Sequence, residues 1–125
     1  MKFKVPFILI MAFMLTACSS ATAIPATPTL DALQQTGQGV FNLRCAQCHA
    51  LTPETIVIGP SLAGIADRAS TRIEGSTAEE YIEDSILFPK DYIVEGFTDT
   101  MPTNFGKDLT SEELNGVVAY LMTLK

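Results

Sequence analysis

Cys45-Ala46-Gln47-Cys48-His49 is the stretch on which the reading of this 125-residue chain turns. Two thiols three positions apart at a helix start can add to the two vinyl groups on one edge of a haem, and the adjoining imidazole then falls beneath the iron. Three other chemistries use a similar spacing, and each lacks something here. A thioredoxin-like dithiol needs a strand before it and a sheet around it, and no stretch of this chain alternates convincingly as a strand. A structural zinc site needs four Cys or His ligands, whereas His49 is the only histidine and the third cysteine, Cys18, lies in or beside an apolar leader. A disulfide between Cys45 and Cys48 closes too short a loop to stabilise much. One covalent haem c is therefore expected on Cys45 and Cys48, with His49 on the iron.

The second axial ligand follows by elimination. With no other histidine, a c-type haem takes methionine. Met1, Met11 and Met14 belong to the leader, which leaves Met101 and Met122. Met122 stands beside Leu121 and Leu124 in the last helical pattern, where methionine serves as an adaptable core residue. Met101 precedes Pro102 in a loop and can reach a haem face without unwinding a helix. Metal ligation is accordingly expected from His49 and Met101. With both axial positions filled, no open iron site is left for substrate, so the chain reads as an electron carrier with no chemistry of its own.

Upstream of this motif the chain changes character twice. Residues 1–17 read as a secretion signal, with Lys2 and Lys4 at the positive end and an apolar run from Val5 to Leu15. That run is short of the roughly 20 residues needed to span a bilayer. Leu15-Thr16-Ala17-Cys18 resembles the lipobox of bacterial lipoproteins, which implies that Cys18 is acylated and becomes the mature N-terminus; the alternative is an ordinary cleavage near Ala21 or Ala23. Acyl chains on Cys18 would hold the domain on the extracytoplasmic side of the membrane, since two or more chains anchor stably. Residues 19–30 (SSATAIPATPTL) are Ser-, Ala-, Thr- and Pro-rich and read as a tether. Extended, a dozen residues span at most about 40 Å. The division expected is a signal over 1–17, a lipidated and flexible N-terminus over 18–31, and one domain over 32–125.

The formal charge of −6 becomes −8 once Lys2 and Lys4 are removed. An acidic chain makes a poor nucleic-acid binder, which needs clustered Lys and Arg, and a poor electrostatic adsorber to anionic lipid. Any charge-steered partner is expected to present a basic face.

Downstream the pattern is helical throughout. From Asp31, Leu33, Gly37, Val40 and Phe41 recur at helical steps and run into Cys45, although Gly37 and Gly39 each cost such a helix about 1 kcal/mol relative to alanine. Ser61 can cap a short turn carrying Leu62 and Ile65, and residues 68–75 read as a polar loop. Ser76 with Glu79 has capping-box spacing and opens a helix whose buried face uses Tyr81, Ile82, Ser85 and Ile86 before Pro89. Residues 91–107 read as an irregular loop. Thr110 with Glu113 repeats the capping box, and Leu114, Val117, Val118, Leu121 and Leu124 form the stripe of a last helix. The expected fold is all-α, about four helices with long loops. Such loops are costly unless something packs inside them, and a haem would supply that core.

These residues together resemble the class I cytochromes c over residues 33–125. Gly37, Phe41 and Cys45 match the family's first helix, whose glycine and aromatic cross the C-terminal helix, with Tyr120 as the aromatic they meet. Gly59-Pro60 matches the segment whose proline carbonyl accepts a hydrogen bond from the proximal imidazole, which implies that Pro60 orients His49. Met101-Pro102 matches the axial methionine with its following proline. The resemblance implies the class I cytochrome c fold wrapped around one haem. More closely, YIEDSIL (81–87), YIVEGF (92–97) and Met101-Pro102 look like the cytochrome domain of some haem-copper oxidase subunits II and the monohaem lipoprotein subunit of alternative complex III. The oxidase subunit also carries two transmembrane helices and a copper domain that this sequence lacks, so the resemblance implies a lipoprotein or separate subunit of a quinol-oxidising respiratory or photosynthetic complex. It would pass electrons to a soluble carrier or terminal oxidase. A free tethered shuttle, a haem sensor or peroxidase-like protein with a labile Met101, and a module using haem only as core are the competing readings. Tyr92, Asn104 and Phe105 are read as loop packing rather than as groups that tune the haem.

Overall fold

The computed structural model describes residues 29–125; the signal over 1–17, the anchor Cys18 and most of the tether lie outside the described residues. Asp31 opens the first helix, α1 (Ala32–Val40), with a reciprocal cap. Its carboxylate accepts from the Gln34 N–H at 2.8 Å, and the Gln34 side-chain oxygen accepts from the Asp31 N–H at 3.1 Å, so two N–H groups that a helix start leaves unpaired are satisfied. The helix was expected to run unbroken into Cys45. Instead its last turn widens into a π-helical segment, Phe41–Cys45, closed by the Ala46 N–H donating to the Phe41 carbonyl at 2.9 Å. Such single wide turns are frequent at functional sites, because they re-aim the residue that follows.

Two further segments are single turns: α2 (Ile65–Arg68), continued by a 3₁₀ turn over Ala69–Thr71, and α4 (Phe105–Asp108). α4 interrupts the stretch 91–107 that reads in sequence as irregular loop. Residues 68–75 likewise contain a buried position, since Ala69 is completely enclosed. The two long helices of the second half are α3 (Ala78–Leu87) and α5 (Ser111–Leu121). α5 begins as its sequence indicates, with Thr110 and Glu113 in a capping box. α3 begins one residue later than expected, since Thr77 and Glu80 form the box and the Ser76 hydroxyl donates to the Thr77 carbonyl instead.

α1 and α5 cross where Gly37 meets Gly116. A Cβ on Gly37 would lie 1.8 Å from the Gly116 carbonyl oxygen, and one on Gly116 would lie 3.0 Å from the Gly37 nitrogen. Neither helix can carry a side chain there, which is the physical reason a helix tolerates a glycine that propensity disfavours. One turn on, Phe41 packs on Tyr120 with ring centroids 5.7 Å apart and a 51° tilt. The aromatic pair is therefore the one the sequence suggests, while Gly37 itself meets backbone rather than Tyr120. Leu33, placed in the apolar recurrence of α1, stays 41% exposed, because the crossing face is made by Gly37, Val40 and Phe41.

Val40 and Phe41 from the first helical stretch, Tyr81, Ile82 and Ile86 from α3, and Val117, Val118, Tyr120 and Leu121 from α5 form the core. Ser85, expected on the α3 core face, is only partly buried. No strand occurs among the described residues; a single antiparallel bridge pairs His49 with Ile56.

Candidate haem-binding site

The motif residues sit on a tight turn at the end of the π-helical segment. The Cys45 carbonyl accepts from the Cys48 N–H at 3.0 Å and from the His49 N–H at 2.9 Å. This double bond to one carbonyl folds the pentapeptide so that both sulfurs and the imidazole face one cavity. The two thiols are unbridged. Burial, and then the neighbouring Cys48, push the Cys45 thiol up to about 11, against a smaller opposing pull from Arg44. A reactive dithiol needs the opposite, a thiolate favoured near neutral pH. Burial of Cys45 thus works against a thioredoxin-like reading, as does the lack of any strand among the described residues. Nor do the described residues contain any group of three Cys, His, Asp or Glu side chains able to hold a metal ion.

His49 is fixed by two adjacent residues. Its Nδ1 lies 2.8 Å from the Pro60 carbonyl oxygen. A carbonyl can only accept, so Nδ1 carries the proton and donates, and the lone pair is left on Nε2, the nitrogen available to a metal. The ring also lies against Gly59, whose Cβ, were it present, would stand 2.4 Å from His49 Cε1. The segment bearing both residues is tied back to the motif, because the Ile58 and Gly59 N–H groups both donate to the Cys48 carbonyl, at 3.2 and 2.9 Å. The Ser61 hydroxyl donates to the Thr52 carbonyl at 2.7 Å and accepts from the Ala63 N–H at 3.2 Å. Ser61 therefore caps a turn, as its sequence context suggests, but α2 itself starts after Gly64.

The cavity encloses about 260 Å³, larger than the ~150 Å³ apolar void that remains dry and accepts benzene in a well-packed protein. Its walls are apolar, with Ile65 from α2, Ile82 and Ile86 from α3, and Val117 and Leu121 from α5. Met101 lines it and Met122 does not; Met122 caps α5 and packs against the core. Tyr92 and Phe105 also line it, Tyr92 standing edge-on to Tyr81 at 5.6 Å, whereas Asn104 turns to hydrogen-bond Asp108.

Three cations that sequence reasoning passed over, Arg44, Arg68 and Arg72, face the same space. Arg68 is held there by donating to the Ser61 and Ala63 carbonyls. Partial burial, and then Arg72 close by, lower its pKa from the usual guanidinium range. A flat apolar group carrying two carboxylates fits this set of donors: thiols and imidazole at one edge, aliphatic walls, a thioether, and guanidinium groups to balance acid. The one signal in the sequence was that these arginines fall in a chain otherwise poor in positive charge.

The family model for cytochrome c matches residues 34–125. The cytochrome c type-1 of Ascaris suum is 34% identical over 82 residues, an alignment covering 56% of this chain and 71% of that protein. Among solved structures, an engineered cytochrome c from Rhodothermus marinus is similar with a TM-score of 0.52 and 25% identity, over 78% of this chain and 86% of that one.

Proposed function

The chain belongs to the cytochrome c family, with one covalent haem c and an electron-carrying role, and from that premise we propose that it works as a membrane-anchored, six-coordinate carrier within a quinol-oxidising complex. The haem supplies an iron that alternates between ferrous and ferric states. Cys45 and Cys48 would hold it through thioethers, His49 Nε2 and the Met101 sulfur would ligate the iron, and Arg68 and Arg72 would balance its carboxylates. The observation that carries this reading is that Cys45, Cys48, His49 and Met101 line a single apolar cavity, with the imidazole already oriented by Pro60. Apolar walls exclude water and disfavour the more highly charged oxidised state, which holds the reduction potential high.

Anchoring rests on the lipobox-like Leu15-Thr16-Ala17-Cys18, and the complex rests on the resemblance of residues 81–102 to the monohaem subunit of alternative complex III. No helix among the described residues is long and apolar enough to cross a membrane; in this reading the attachment is Cys18. A pyridine-haemochrome spectrum of the protein matured with haem tests the cofactor: a c-type spectrum is expected, and its absence overturns the reading. Native electrophoresis of detergent-solubilised membranes tests the complex. Co-migration of this haem with a quinol-oxidising assembly, lost in Cys18→Ala, is expected; a haem that runs alone supports the tethered shuttle.

A further inference from the structure

Asn115-Gly116 is the only Asn-Gly pair in the chain, and it stands at the helix crossing. In this dipeptide an asparagine loses its amide most readily, because glycine has no side chain to keep its backbone nitrogen from the Asn Cγ. Asn115 is exposed and takes no part in the cap of α5, which Thr110 and Glu113 make, while Gly116 beside it is buried. A Cβ on Gly116 would stand 3.0 Å from the Gly37 nitrogen and 3.1 Å from the Leu33 carbonyl oxygen. The crossing therefore demands the glycine, and the glycine makes Asn115 labile.

We propose that Asn115 is a deamidation site gated by the opening of α5, and that its isoaspartyl product can no longer close the α1–α5 crossing. The Gly116 backbone nitrogen bonds to the Asn115 Cγ, the bond from Cγ to the side-chain nitrogen breaks, and that nitrogen leaves as ammonia with the Gly116 N–H proton. Water then opens the resulting succinimide at either carbonyl. One opening leaves aspartate; the other leaves isoaspartate, whose main chain runs through the β-carbon and is longer by one methylene. The fold opposes the first step, because within α5 the Gly116 N–H belongs to the helical ladder and is held off the Asn115 side chain until the turn opens. The fold also makes the two products unequal. Aspartate only adds a negative charge at an exposed position. Isoaspartate shifts the chain by one atom immediately before Gly116, whose carbonyl fills the place of a Gly37 side chain, and the helical hydrogen-bond register cannot pass through it. Tyr120, one turn further, then loses its place against Phe41, the residue that opens the π-helical turn carrying Cys45. Damage at residue 115 thus reaches the haem-binding motif.

The holoprotein is aged in neutral buffer and, in parallel, unfolded in urea, and mass spectrometry of the peptide spanning residue 115 reads the amide replaced by a carboxyl. Conversion in the folded protein should be at least ~100-fold slower than in urea, and Asn115→Gln should stay unconverted in both. Equal rates in the two conditions would overturn the gate, and an Asn115 that persists in urea would overturn the site. The aspartyl and isoaspartyl forms of the urea-aged protein are then separated by chromatography, returned to buffer and unfolded again by denaturant, with haem absorption as the signal. The aspartyl form and Asn115→Asp should match wild type, while the isoaspartyl form should lose at least about tenfold in its folded-to-unfolded ratio. An isoaspartyl form as stable as wild type would overturn the link to the crossing. So would an Asn115→Asp variant as unstable as the isoaspartyl form, since charge rather than chain length would then be responsible.

Discussion

His49 Nδ1 donates to the Pro60 carbonyl at 2.8 Å, and that single bond decides which imidazole nitrogen meets the metal. Gly59, one residue earlier, leaves the space the ring occupies. The dipeptide therefore sets both the proton position and the place of the ligand, and does so from a loop that the Cys48 carbonyl ties to the motif.

Gly59→Ala should disturb this arrangement directly. A methyl 2.4 Å from His49 Cε1 forces either the ring or the loop to move, and overpacking of this kind costs about 1–3 kcal/mol. Denaturant unfolding of the holoprotein followed by haem absorption should show that loss. Wild-type stability in the variant would mean that the ring is not confined by Gly59.

The helix crossing gives a paired test. Gly37→Ala places a methyl on the Gly116 carbonyl and should cost about 3 kcal/mol, because the clash is with backbone that cannot rotate away. Gly39→Ala, two residues along the same helix, meets nothing within 4 Å and should stabilise by about 0.5–1 kcal/mol. Equal effects of the two substitutions in thermal unfolding would contradict the crossing.

Acid should loosen the two long helices of the second half. Backbone and hydroxyl hydrogen bonds from Thr77 to Glu80 and from Thr110 to Glu113 hold both carboxyls below their usual 4.5. A folded-state pKa below the unfolded one contributes stability above pH 4.5 that is lost as pH falls through the lower, folded value. Glu80→Gln/Glu113→Gln keeps the capping geometry but removes the titration, so its stability should fall less steeply than wild type below pH 4.5. Parallel pH profiles would contradict this.

How much of this was legible before any coordinates depends on whether the signal was local. The pentapeptide and the Thr110–Glu113 cap rest on neighbours in sequence, and the structure puts those residues where their context suggests; Met101 lines the cavity and Met122 does not. Ser76-Thr77 followed by Glu79-Glu80 offers two capping boxes in adjacent registers, and the register used is Thr77–Glu80. Gly116 carries no sign in sequence that it faces Gly37 across 79 positions. Arg68 and Arg72 read as polar loop because their target, the cavity, is assembled from α2, α3 and α5. The apolar residues 56–58 look like any short buried run, and only their exposure in the folded chain distinguishes them.

Met101 is the residue on which the closed, six-coordinate account rests, and the weak near-infrared band of the ferric protein, which reports sulfur bound to iron, tests it most directly. The band should be present in wild type and in Met122→Ala and absent in Met101→Ala, whose ferrous form should bind carbon monoxide at neutral pH where wild type resists it. A band that survives Met101→Ala and disappears in Met122→Ala, or a wild-type protein that shows no band at all, would contradict the account.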